Sequence, residues 1–245
     1  LDSLGLLDVY LPELAEGRGI DQGGMHHADV LAHQIEALGQ LLHAFPDADL
    51  SLRWATLLHD IGKPGTRSTD DIDPTDGSGR IRFHGHDRLG SELAEQLMRR
   101  LRQPAARTER VAALVRRHMQ PLPRDDRAVR RFIHRYGELL PDLLKLMVAD
   151  REAARGRLAS EASRRNYRVA VGRVLGALAE APAEPVRPLL NGNELMELLE
   201  LEPGPKVGQA ARYLAELQAV GDAATREAAI SHLREYARVQ WGGED

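Results

Sequence analysis

An all-α fold, a helical bundle that carries a small β-hairpin and is followed by a smaller helical domain, is predicted by three features of this sequence. Apolar residues recur at helical spacing through most of the chain. The composition is 42% hydrophobic but only 4% aromatic, so Leu, Ala and Val must supply an aliphatic core, which suits helix packing better than a β-sandwich. Breaks at Gly62-Lys63-Pro64, at Asp76-Gly77-Ser78-Gly79 and at Pro182, Pro185 and Pro188 separate the periodic runs. At 245 residues the chain exceeds the usual single-domain length, and two units are expected.

Taken in order, Val30, Leu31, Ile35, Leu38, Leu41 and Leu42 mark a first helix, and Leu50, Leu52, Ala55, Leu57 and Leu58 a second. The second stops at His59-Asp60-Ile61-Gly62-Lys63-Pro64, where Gly62 can take the left-handed cap conformation and Pro64 forbids continuation. The His-Asp pair is therefore expected at a helix C-terminus. From Thr66 the sequence turns polar and acidic, with Asp76-Gly77-Ser78-Gly79 as a turn before the alternating Arg80-Ile81-Arg82-Phe83, and a hairpin is predicted. Asp71, Asp73 and Asp76 lack the spacing and closing Glu of a calcium loop and read as a solvated turn. Helical periodicity resumes over 89–101, 108–119, 127–136, 141–157 and 167–181. Pro182, Pro185 and Pro188 mark a linker, with helices over 193–199, 207–220 and 225–241 beyond it. The expected division is 1–181 and 182–245.

The absence of Cys rules out disulfides and thiolate zinc sites, so any metal must be held by His and carboxylates. With no long uncharged apolar run and no signal-like opening, no membrane association is expected and the reading is cytoplasmic. The chain opens on Leu within a helix-like pattern, which reads as a trimmed or C-terminal part of something longer. The net charge of −4 conceals an asymmetry: between Arg99 and Arg168 there are 19 Lys and Arg against 8 Asp and Glu, a net of +11 against −15 elsewhere. Two readings are open, solvated arginine-rich helix faces or a phosphate-attracting surface.

Of ten His residues, nine lie between His26 and His134. His33 lies mid-helix near the apolar face, His59 and Asp60 end the next helix, and His86 follows the hairpin in Phe83-His84-Gly85-His86-Asp87. His118 ends an amphipathic helix, and Asp150 closes the apolar run Leu143-Leu144-Lys145-Leu146-Met147-Val148-Ala149. An ionised Asp at the end of a buried face is costly unless it is paired or binds a cation. Two imidazoles and two carboxylates around a divalent ion leave positions for water or a phosphate oxygen. Any one of these histidines alone is more often a hydrogen-bonded core or surface residue, and it is the combination that carries weight.

His33…His59-Asp60…Asp150 resembles the H…HD…D pattern of the HD-domain metal-dependent phosphohydrolase superfamily, over roughly residues 14–155. More narrowly, Asp29-Val30-Leu31-Ala32-His33, Leu57-Leu58-His59-Asp60-Ile61-Gly62-Lys63-Pro64 and Phe83-His84-Gly85-His86-Asp87 resemble the HD domain of bacterial tRNA nucleotidyltransferases, the CCA-adding enzymes. Asn191-Gly192-Asn193-Glu194-Leu195 and Pro203-Gly204-Pro205-Lys206-Val207-Gly208 resemble their C-terminal helical region. The resemblance implies His33, His59, Asp60 and Asp150 as ligands of one divalent ion, and Asp60 as a bridge to a second. It implies His86 and His118 as ligands of that second ion or of substrate phosphate, with His84 an alternative to His86. Lys63 and Asp60 are the implied catalytic residues, and Lys63 and Arg151 join the phosphate-binding set. His26, His27, His43, His134 and His232 match nothing metal-binding. A nucleotidyltransferase head needs a Gly-Gly or Gly-Ser loop and a nearby Asp-x-Asp pair; Gly23-Gly24 and Asp71-Ile72-Asp73 sit in the wrong contexts, so this chain as given is not expected to add nucleotides.

The expected function is hydrolysis of phosphate esters in nucleotides or RNA ends, such as 2′,3′-cyclic phosphates, by metal-activated water, with one or two ions of Mn, Mg, Ni, Co or Fe. The alternative is a tRNA-binding body and tail of a CCA-adding enzyme whose head is missing from this chain. A purely structural helical domain is the plainest of the three readings.

Overall fold

The computed structural model describes residues 2–23, 28–70, 79–155, 160–181 and 187–242. The all-α expectation holds: among the described residues there are twelve α-helices and one two-stranded hairpin. Strands β1 (Ser68–Asp70) and β2 (Arg80–Arg82) pair antiparallel, with Thr69 opposite Ile81. The predicted turn at Asp76-Gly77-Ser78, with the Asp71 to Asp76 acidic run, lies outside the described residues, as do His26, His27, Pro182 and Pro185. No helix of the described chain is long and apolar enough to cross a membrane.

The chain divides into two compact units, residues 1–122 with 138–171, and residues 123–137 with 172–245. In the first, α1 (Leu6–Tyr10) and α2 (Pro12–Ala15) lead into α3 (Val30–Ala44), which packs against α4 (Leu50–Leu58) and α8 (Asp142–Ala153). Helices α5 (His86–Arg100) and α6 (Ala105–Arg117) pack on each other, and α6 also covers α4. Acidic caps set the two starts that matter most here: Asp29 accepts from Ala32 N at 2.8 Å and Asp49 from Leu52 N at 2.8 Å, each satisfying an amide that the first turn leaves unpaired. Leu41, Leu52, Leu58, Leu97, Leu114, Leu143 and Leu146 are almost wholly buried, each contributing about 1.5–3 kcal/mol at most.

Two boundaries differ from the periodicity and bear on function. Helix α5 starts at His86, three residues before the apolar repeat resumes, because Gly85 at φ 78° turns the chain directly into it. Helix α8 ends at Ala153 rather than Arg157, so Asp150 lies in its last turn.

In the second unit, α7 (Asp126–Tyr136) packs on α11 (Pro205–Val220), with α10 (Gly192–Leu199) and α12 (Arg226–Trp241) completing it. Arg130 donates to Val220 O at 3.1 Å, Arg131 Nε pairs with Glu216 at 2.7 Å, and Arg127 pairs with Asp222. These contacts explain why α7, expected with residues 1–181, groups with the C-terminal helices. Leu195, Leu214, Leu217 and Leu233 form the core, and the Asn191–Glu194 capping box starts α10. Helix α9 (Glu161–Glu180) contributes residues 161–171 to the first unit and the rest to the second.

Much of the arginine-rich middle is paired with carboxylates. In the first unit Arg110 meets Asp142 at 2.6 Å, Arg100 meets Glu13 at 2.7 Å, and Arg116, Arg99 and Arg168 pair with Asp87, Glu95 and Glu152. This favours the solvated-face reading over a broad phosphate-attracting surface, since a paired guanidinium contributes little long-range field.

Candidate metal centre

Five elements of the first unit converge on Asp60. His33 comes from α3, His59 and Asp60 from the end of α4, Lys63 from the turn after it, His86 from the first turn of α5, His118 from the residue after α6, and Asp150 from α8. His33, His59, Asp60, Lys63, His86 and His118 are all buried, while Asp150 keeps a quarter of its side chain exposed.

The turn after Leu58 explains how neighbouring residues share one site. On a regular helix, successive side chains diverge by about 100°. Here α4 gives way to tighter turns, with Ile61 N to Leu58 O at 3.1 Å and Lys63 N to Asp60 O at 2.9 Å. Gly62 is not left-handed, contrary to expectation: its place is set by a close approach, since a Cβ there would stand 2.3 Å from His86 O and 2.5 Å from Gly90 N. Bare backbone at Gly62 is what lets α5 bring His86 up to Asp60.

The two oxygens of Asp60 face two groups of histidines. Oδ2 lies 3.2 Å from His59 Nε2 and 3.6 Å from His33 Nε2, and Oδ1 lies 3.4 Å from His86 Nε2 and 3.6 Å from His118 Nε2. Asp150 Oδ1 closes the first group, 2.9 Å from His33 Nε2 and 3.4 Å from His59 Nε2. The donor atoms of His33, His59 and Asp60, and those of Asp60, His86 and His118, lie close enough to share one ion each.

Three of the rings are oriented in the same way. His59 Nδ1 donates to Thr56 O at 2.8 Å, His86 Nδ1 to Phe83 O at 2.7 Å and His118 Nδ1 to Val115 O at 2.7 Å. A carbonyl only accepts, so each Nδ1 carries a proton, and in its neutral form each ring presents an Nε2 lone pair inward. Thr56 and Val115 lie in the last turns of α4 and α6, where carbonyls have no helical partner. The donor set fits a divalent cation: among the described residues His59 Nε2, close to both carboxylates, is buried without a well-aligned hydrogen bond, and the Nε2 atoms of His86 and His118 face each other at 3.3 Å. Two lone pairs at that distance repel unless a proton or a metal ion lies between them.

The electrostatics also call for positive charge. Burial opposes protonation of His59, but Asp60 and Asp150 outweigh it and raise its pKa to about 10. Burial likewise opposes ionisation of both carboxyls, yet His59 and Lys63 beside Asp60, and His33 and His59 beside Asp150, hold them well below the ordinary carboxylate range. On the other side, burial lowers the His86 pKa.

Lys63 Nζ lies 2.6 Å from Asp60 Oδ2 and 2.6 Å from Gln22 Oε1, over the Phe83 ring. Gln22 was not foreseen, since a lone Gln in a glycine-rich segment carries no periodic signal. Its Nε2 donates to Ala28 O at 3.2 Å, which fixes which end faces Lys63. Of the two candidate histidines after the hairpin, His86 reaches Asp60 while His84 is exposed. A cavity of about 370 Å³ opens on the cluster, lined by Asp60, Lys63, His86, Asp150 and Arg151, with Arg82 and His84 at its hairpin side. Arg151 is held by Ser163 with its guanidinium over Tyr167.

The HD domain family model matches residues 25–155, a span that holds every one of these histidines and both aspartates. The chain belongs to the HD domain family. It is also 56% identical over 237 residues to an A-adding tRNA nucleotidyltransferase of Deinococcus radiodurans, covering 97% of this chain and 53% of that protein. It is 46% identical over 235 residues to a CC-adding tRNA nucleotidyltransferase of Thermus thermophilus, covering 95% of this chain and 51% of the relative. A multifunctional CCA protein of Pseudomonas fluorescens is 36% identical over 107 residues, 42% of this chain and 23% of that protein. The chain thus spans about half the length of the first curated relatives it matches. The first two of those matches run well past the HD domain into the C-terminal helices, in agreement with the resemblance noted at Asn191 and Pro203.

Proposed function

We propose that the HD domain is a divalent-metal-dependent phosphohydrolase acting on nucleotides or RNA ends, 2′,3′-cyclic phosphates among them. The observation that carries this is Asp60, whose two oxygens face separate histidine groups while a lysine stands beside it. His33, His59 and Asp60, with Asp150 beside both rings, would hold one ion, and Asp60, His86 and His118 a second, drawn from Mn, Mg, Ni, Co or Fe. Bound there, such ions supply Lewis acidity and a nucleophilic water near neutral pH. The chain's own side chains do the rest. Lys63, held by Gln22, offsets charge on a phosphate oxygen, and Arg151 at the cavity wall binds phosphate. The backbone-anchored imidazoles keep their protonation pattern while charge shifts at the substrate.

Asp60→Ala should abolish metal-dependent turnover of bis-p-nitrophenyl phosphate and 2′,3′-cAMP. Undiminished turnover would remove Asp60, and this reading, from consideration.

A second reading is supported by the 56% identity over nearly the whole chain to an A-adding tRNA nucleotidyltransferase. In it this chain is the tRNA-binding body and tail of such an enzyme, and the metal centre is auxiliary. Tight tRNA binding by the Asp60→Ala variant, with a steep salt dependence and no hydrolysis of any phosphate ester by the parent chain, supports this reading over the first.

A further inference from the structure

The cavity on Asp60 has two kinds of lining. One part is ionic: Asp60, Lys63, His86, Asp150 and Arg151. The other is apolar and comes from the hairpin and from the end of α6: Ile81, Phe83 and Met119. Met119 directly follows the buried His118, yet is itself 55% exposed. A large thioether left in solvent beside a cluster of metal-ligating side chains contributes little to packing, and its chemistry is that of an adaptable apolar contact.

We propose that Phe83 and Met119 form a seat for a nucleobase, so that the preferred ligand is a single nucleoside bearing its phosphate toward Asp60 and Lys63. This rests on the phosphohydrolase reading for what happens to the phosphate, but not for the binding itself. An aromatic ring, a polarisable thioether and the neighbouring guanidinium of Arg82, whose Nε faces Asp70 at 3.4 Å, all favour the flat π-face of a base. An acyl chain would make no use of the guanidinium, and a sugar phosphate would leave Phe83 and Met119 in water. The size agrees: about 370 Å³ is near the lower end of ligand pockets, which suits one nucleotide rather than a stacked pair. For an RNA, the ligand is then its terminal nucleotide.

The test is equilibrium binding to the Mn²⁺-loaded chain by titration calorimetry, with 2′-AMP against glycerol 2-phosphate, which carries the same phosphate and no base. The wild type should bind 2′-AMP about 5- to 150-fold more tightly, the range a single base stack supplies. In Met119→Ser the ratio should fall towards one, and Ile81→Ser, at the edge of the same wall, should lower it less. Thermal melting of each variant confirms that it is folded. Equal binding of the two probes by the wild type, or an undiminished ratio in folded Met119→Ser, overturns the seat. A preserved ratio in a wild type that hydrolyses neither probe nor any cyclic phosphate leaves the seat standing and removes the hydrolase reading instead.

Discussion

Lys63 Nζ meets Asp60 Oδ2 at 2.6 Å, three residues along the chain and buried with it. The ammonium is thereby placed at the one carboxylate that both histidine groups share. Lys63→Met should lower kcat/KM on bis-p-nitrophenyl phosphate by about tenfold or more, while ion content measured by elemental analysis stays within a factor of two. Parallel loss of ion and activity would mean that Lys63 only supports the centre.

His86 and His84 separate cleanly. His86→Ala should reduce bound divalent ion by about half and turnover by about a hundredfold, because one of the two ligand groups loses a donor. His84→Ala, at an exposed position, should keep full ion content. The reverse pattern would exchange their roles.

Gly62 and Gly39 make a matched pair of glycine tests. A Cβ at Gly62 would collide with backbone of α5, so Gly62→Ala should destabilise the chain by about 1–3 kcal/mol and lower ion affinity as His86 is displaced. Gly39 lies exposed within α3 with open space around it, and Gly39→Ala should stabilise by about 0.5–1 kcal/mol. Urea denaturation reads both, and a silent Gly62→Ala would show that the approach of α5 is not tight.

The centre also sets a pH dependence. In the chelated protein the His59 pKa is raised from 6.5 to about 10, so its contribution to stability is complete below pH 6.5 and is lost as pH rises toward 10. Asp60 and Asp150 are lowered below 3.8, so theirs is present above that value and is lost on acidification. With EDTA, Tm should fall by about 5 °C or more from pH 7 to pH 9.5. With saturating Mn²⁺ the fall should be smaller, because the ion takes the place of the His59 proton and binds more tightly as pH rises. Identical pH profiles with and without the ion would contradict this.

How much of this was legible follows physical lines. The helices were readable because their apolar stripes repeat, and His33, His59, Asp60, His118 and Asp150 were readable because each interrupts or ends such a stripe. The position of His86 at the head of α5 came from Gly85 rather than from periodicity. Gln22 left no pattern, and the strand and helix patterns that hold Phe83 and Met119 do not point to the cavity, since these parts depend on three-dimensional approach alone. The role of Gly62 was misjudged for a related reason: a glycine needed for clearance reads, in one dimension, like a glycine needed for a turn. Helix α7 was grouped by its place in sequence, whereas its arginines face carboxylates and a carbonyl from α11 and the residues just after it.

Each of the three rings anchored through Nδ1 is aimed by a carbonyl only three positions upstream, within its own stretch of backbone. Aim is therefore inherited from local turns and does not wait for an occupant to arrange it. A cradle shaped in advance would spend little of an ion's binding energy on rearrangement, and its fixed donors would favour the ion whose radius and geometry suit them. Exchanging one ion for another should then alter affinity and reactivity without remaking the surrounding architecture.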